Sequence, residues 1–120
     1  MTRIGVTGHQ NIPAEARETV SRMVLEALAG FPAPVAVSSL AAGADQIVAA
    51  TALELGGSLV LVVPCAHYRT TLTGDDLKRY DHLAGLALEV EQLRFDKPSE
   101  QAFMAAGKRV VDLSEHCDHR

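Results

Sequence analysis

Two short stretches of this chain place small, hydroxyl-bearing and titratable residues where an apolar run gives way to a helical pattern. The first is Gly5-Val6-Thr7-Gly8-His9. Gly8 permits a tight turn and a close approach of backbone to ligand. Thr7 can donate or accept a hydrogen bond, and His9 can do either near neutral pH. The second runs from Ser38 and Ser39 to Gly43 and Asp45. Small residues there leave backbone N–H groups open at a helix start, where phosphate or carboxylate is favoured and the helix dipole adds to the attraction. The chemistry open to both is the holding of a small anionic ligand. Each also has a plainer reading. Gly8 supplies only an unusual φ, Ser39 caps a helix, and Asp45 complements the helix dipole with nothing bound. Two such loops at neighbouring strand ends favour the ligand site. Neither G-x-G-x-x-G nor a P-loop lysine is present, so dinucleotide and Walker-type binding are not indicated.

A second set of residues has the donor types of a metal site. Cys65 and His67 form C-x-H, and His116, Cys117 and His119 cluster in the tail. Structural zinc sites space their ligands as C-x₂₋₄-C and H-x₃₋₅-H, and this chain has neither. Cys65 reads instead as the end of a buried strand and the tail as a frayed helix end. No metal or other cofactor is expected.

The elements that must position these residues follow from hydrophobic periodicity. Ile4 and Val6 mark a first strand, and Pro13 suits the first turn of a helix whose stripe is Val20, Met23, Val24, Ala27 and Leu28. Val35 to Val37 is a second strand. A helix from about Ala44 to Leu55 carries Ile47, Val48, Thr51 and Leu55 on one face. Ser58 to Val63 is continuously apolar, as in a strand covered on both faces, and Pro64 closes it. A helix over Asp75–Ala87 and a strand over Leu88–Leu93 come next, with Glu89 and Glu91 on one face near a sheet edge. Ser99 caps a last helix. The order β-α-β-α-β-α-β-α predicts an α/β fold, with three layers (α/β/α, Rossmann-like) and a parallel sheet of about four strands in one domain spanning 1–120. Ligands in such sheets bind outside the carboxyl ends of the strands. That rule selects the loops at 7–12, 38–43, 64–74 and 94–99.

Composition narrows the partners. With 48% apolar and 22% charged residues the 120-residue chain is an ordinary globule. A net charge of −4 opposes bulk affinity for nucleic acid. Aromatic residues at 4% and no Trp make a base-stacking platform for single strands improbable. No apolar run spans a bilayer, no signal peptide is apparent and two cysteines make no disulfide framework, so a cytoplasmic setting is expected.

The stretch "SSLAAGADQIVAATALELGGSLVLVV", Ser38 to Val63, resembles one in bacterial DNA-processing proteins that reads roughly S-G-L-A-x-G-I-D, then a helix ending in A-L, a glycine and an apolar strand. "VTGHQ" is similar to the first-loop motif T-G-H-R of one bacterial branch, and "PCAHYR" and "KPSEQAFMAAGKRVVDLS" are similar to its later segments. The resemblance is to the SLOG superfamily, a Rossmann-like domain shared by DNA-processing protein A, the Lonely Guy hydrolases and lysine-decarboxylase-like proteins. It covers nearly the whole chain and rests on the order and spacing of these motifs together. It implies a nucleotide or nucleotide-derived ligand over the first two loops. Thr7, Gly8 and His9 would line one side, with Ser38, Ser39, Gly43 and Asp45 on the other. Tyr68 and Arg69 would come from the third loop, and Ser99 and Glu100 from the fourth.

Three departures bear on function. The arginine of T-G-H-R is Gln10 here, which removes an anion partner. Ala42 stands where the DNA-processing proteins have a basic residue, which argues further against DNA as a partner. The Lonely Guy loop P-G-G-x-G-T-x-x-E, whose glutamate serves catalysis, has no counterpart before the chain ends in "DLSEHCDHR". The expected function is therefore binding of a nucleotide-like phosphate ligand without demonstrated catalysis. The alternatives are a phosphoribohydrolase-like enzyme using Glu100 and Arg69, and an assembly module that binds no ligand. A homodimer that covers an exposed sheet edge through the last helix is also expected.

Overall fold

A computed structural model of the chain describes residues 2–7, 12–114 and 116–119. Its elements in chain order are β1 (Arg3–Thr7), α1 (Arg17–Leu28), β2 (Val35–Ser38), α2 (Ala44–Glu54), β3 (Ser58–Cys65), α3 (Gly74–Gly85), β4 (Glu89–Phe95), α4 (Glu100–Leu113) and β5 (His116–His119). A 3₁₀ turn over Ala14–Ala16, entered through Pro13, leads into α1, and a second over Tyr68–Thr71 precedes α3. The strands form one parallel sheet in the order β4-β3-β2-β1-β5. The fold is the expected three-layer α/β arrangement.

The first three crossovers step in one direction across the sheet, and the fourth steps back to the far side of β1. With right-handed crossovers this places α1, α2 and α3 on one face and α4 on the other. Two apolar clusters show the division. Ile4, Ala36, Leu59 and Leu61 pack with Leu28, Val48, Ala52 and Leu83. Val35, Val37, Val60 and Val62 pack with Ala106 and Val110. Alternation along each strand thus fills both sides, as a sheet buried on both faces requires. Helix α2 lies between its two neighbours and the sheet, so it is buried almost all round: Asp45 to Ala49, Thr51 and Ala52 are all inaccessible. On α1 the apolar stripe is narrower than its sequence implies, since Leu28 is buried while Met23 is 56% exposed.

Gly5 fixes how close α4 can come. A Cβ there would stand 2.2 Å from Ser114 Oγ and 2.9 Å from a Val110 methyl. Only a glycine in β1 lets that helix end lie on the strand.

The tail overturns one expectation. His116–His119 is a fifth strand on the open side of β1, in register from Ile4↔His116 to Thr7↔His119, and not a frayed helix end. The exposed edge of β1 offers unpaired backbone groups, and four residues of any type can satisfy them. Pro64 also lies inside β3 rather than closing it. The register with β4 shifts between Val63 and Cys65, where the proline cannot donate to the ladder. Strand β4 is the edge strand foreseen. Glu91 on it accepts from both Arg109 Nε and Nη2, the latter at 2.9 Å, which ties the edge to α4. That pairing holds the Glu91 carboxyl below its usual range.

Among the described residues no helix is long and apolar enough to cross a membrane.

Candidate functional site

The parallel register Arg3↔Val35, Ile4↔Ala36, Gly5↔Val37 brings the carboxyl ends of β1 and β2 to one rim. Thr7 and Ser39 therefore leave the sheet on the same side. Gly8 and His9 lie outside the described residues. The β2–α2 loop is built around two unusual backbone positions. Leu40 is fully buried at φ 56, and Gly43 has φ 90 and ψ −127 at the N-cap of α2. The second conformation is open only to glycine. Neither serine caps α2. Instead the Ser38 hydroxyl accepts from Leu40 N at 2.9 Å and is itself buried.

A cleft of about 570 Å³ opens over the carboxyl ends of β2 and β3 and against α4. The starts of three helices meet there: Ala41, Ala42 and Asp45 of α2, Thr73 and Asp76 of α3, and Pro98, Ser99 and Glu100 of α4. Its remaining wall includes Ser39, Pro64, Tyr68, Phe103, Ala106 and Gly107. The cleft is thus displaced by one strand from the position expected between the first two loops. Of the residues read as ligand-binding, it brings together Ser39, Asp45, Tyr68, Ser99 and Glu100. Ser38 and Gly43 support the loop from beneath. Thr7 ends β1 beside it.

Arg69 is placed elsewhere. Its Nε and Nη2 donate to the two carboxylate oxygens of Asp81 at 2.8 and 2.6 Å, on the outside of α3. Ser99 caps α4 as its position implied, accepting from Ala102 N at 3.0 Å. Glu100 is exposed in the first turn of α4, where the helix dipole accounts for it.

Asp45 is the chemically distinctive group. It is 6% exposed, and burial raises its carboxyl from 3.8 to about 7, against hydrogen bonds from the Ala41 backbone and the Ser38 hydroxyl that pull it down. Tyr68 lies beside it at 5% exposure, and burial followed by the Asp45 charge pushes its phenol up. The Tyr68 ring meets Tyr80 and Phe103 edge-on at 5.8 and 6.1 Å. Beneath them Gln46 Nε2 donates to Leu40 O at 3.2 Å and Asp76 O at 3.0 Å, which binds the α2 loop to the start of α3. Its Oε1 is buried with no partner among the described residues.

Sequence reasoning missed Asp76 and Phe103. Asp76 sits in the first turn of α3 and pairs with Arg79 at 3.0 Å. Phe103 lies four residues after Ser99, on the turn of α4 above the cap, and that spacing was the available signal. As for zinc, β3 and β5 are three strand spacings apart, about 14 Å, so Cys65 and His67 cannot share one ion with the tail. Among the described residues no three ligating side chains cluster.

Solved structures share this architecture. DNA processing protein A from Streptococcus pneumoniae matches 98% of this chain over 41% of its own, with a TM-score of 0.67 and 19% identity. DNA processing protein A from Helicobacter pylori, described for its single-stranded DNA binding mode, matches 98% over 53% of its own chain, at 0.64 and 18%. At these identities the likeness shows a shared fold. The protein TM1055 adds a third match, with 99% of this chain over 60% of its own at a TM-score of 0.62 and 14% identity. This chain spans about half the length of these solved structures. No family model matches it, and no curated protein matches it.

Proposed function

We propose that this protein binds a small nucleotide-derived ligand in the cleft over β2 and β3. The observation that carries the reading is the meeting of three helix starts around a buried carboxyl, in the position where α/β sheets hold their ligands. The likeness to SLOG-fold structures supports a nucleotide-related ligand. Ser39, Asp45, Tyr68, Ser99 and Glu100 form the described wall of the site. Thr7, at the end of β1, leaves the same rim one strand away. DNA is not part of the proposal, because among the described residues no lysine or arginine lines the cleft. A thermal-shift panel of nucleosides and nucleoside mono-, di- and triphosphates tests it. At least one of these raises the melting temperature in proportion to the logarithm of its concentration. A panel in which none does so at millimolar concentration contradicts it.

One observation favours a second reading, an N-glycosidic hydrolase acting on nucleoside monophosphates. A buried carboxyl that titrates near 7 in a cleft suits general acid–base work. Asp45 then takes the role expected of Glu100. Release of free base from nucleoside monophosphates, abolished in Asp45→Asn, would establish it.

A further inference from the structure

The cleft is chemically one-sided. Among the described residues, three that line it carry carboxyl groups, Asp45, Asp76 and Glu100, and none is Lys, Arg or His. Protein sites for phosphate commonly pair it with arginine or lysine, and Arg69 is committed to Asp81 on the surface of α3. The helix starts add about half a positive charge each, which the acidic Asp76 and Glu100 offset. The Ser99 cap already uses Ala102 N–H.

The inner wall supplies hydrogen bonds without a fixed charge of the phosphate-binding sign. Tyr68 is 5% exposed and lines the cleft. Asp45 stands in the same wall, and Phe103 presents an aromatic edge at the mouth. A hydroxyl, a carboxyl and an aromatic ring together fit a polar, uncharged, ring-bearing group.

We propose that this cleft is a nucleoside subsite: it holds the sugar and base of the ligand, seats them against Tyr68 and Asp45, and excludes the phosphate. The inference rests on the nucleotide-binding reading above and adds which end of the ligand enters.

The chain has two tyrosines, so fluorotyrosine labelling gives two ¹⁹F signals, which Tyr80→Phe assigns. Adenosine, guanosine, adenosine 5′-monophosphate and inorganic phosphate are titrated separately. A nucleoside shifts the Tyr68 signal, inorganic phosphate at equal concentration does not, and Tyr68→Phe weakens nucleoside binding about tenfold while preserving the ring and the fold. Phosphate that shifts Tyr68 and displaces the nucleoside overturns the inference but leaves nucleotide binding intact. Unchanged nucleoside affinity in Tyr68→Phe also overturns it. If no compound shifts either signal or the melting temperature, the binding reading itself fails.

Discussion

Replacing Asp45 by asparagine is expected to make the protein more stable at neutral and mildly alkaline pH. The folded carboxyl keeps its proton to about pH 7, whereas in the unfolded chain it loses it near 3.8. Between those values the native state holds more protons than the unfolded one, so stability falls as pH rises. Each pH unit costs about 1.4 kcal/mol, and the interval of roughly three units amounts to about 4 kcal/mol. The loss begins near pH 4 and is complete near pH 7. The ion-paired carboxyls Glu91 and Asp81 act with the opposite sign, since theirs are held low, and their contributions disappear only on acidification below the ordinary carboxylate range. Urea unfolding at pH 5, 6, 7 and 8 reads the effect. Wild type loses about 3 kcal/mol between pH 5 and 7, and Asp45→Asn loses little. At pH 8 the variant exceeds wild type by a few kcal/mol, because an amide carries no charge to desolvate. A wild-type profile that is flat or rises over this range, or a variant with the same slope, refutes the reasoning.

Gly43→Ala forces a side chain into φ 90, ψ −127 at a buried N-cap, and a loss of about 1–3 kcal/mol in thermal or urea unfolding is expected. Gln46→Leu removes the donor that joins Leu40 O to Asp76 O, so stability falls by about 2 kcal/mol and any ligand that stabilises wild type does so less in the variant. For the homodimer, the outer side of α4 exposes Met104 and Val111, by 70 and 37%. Light scattering on a sizing column is expected to give twice the chain mass for wild type and the chain mass for Met104→Glu, and a wild-type monomer at high concentration removes the proposal.

Most of the fold was legible because β1, β2 and β3 read as short apolar runs and the four helices as helical stretches between them. The boundary between α3 and β4 was the ambiguous one, since Leu83, Leu86, Ala87 and Val90 fit a helical stripe. Pairing of Glu89–Phe95 with β3 shows that the strand reading was right, but its faces are not those expected: Val90 is 59% exposed, while Glu91 is half-buried against Arg109. Strand β5 was not legible: "HCDH" has neither an apolar run nor alternation, and its conformation is dictated by the free edge of β1. In the site, Ser39 and Ser99 could be placed from loop position and capping chemistry. The burial of Asp45 could not. An acid in a first turn reads as a solvated partner of the dipole, and only the insertion of α2 between α1 and α3 drives it inside. Arg69 failed in the converse way. A cation in a strand-end loop suits an anion, but Asp81 lies within bidentate reach once α3 is folded back.

Burial of an acid near its neutral point, a glycine-only backbone at Gly43 and a buried leucine at positive φ all fall on the β2–α2 loop. Each opposes stability, and such costs gather where a site is held in shape for a ligand.

The most direct test is a crystal structure grown with a nucleoside 5′-monophosphate at millimolar concentration. The account predicts the ligand between Asp45, Tyr68 and Ser99, over the ends of β2 and β3. A ligand bound on another face, or a cleft closed by its own side chains with nothing bound, contradicts it.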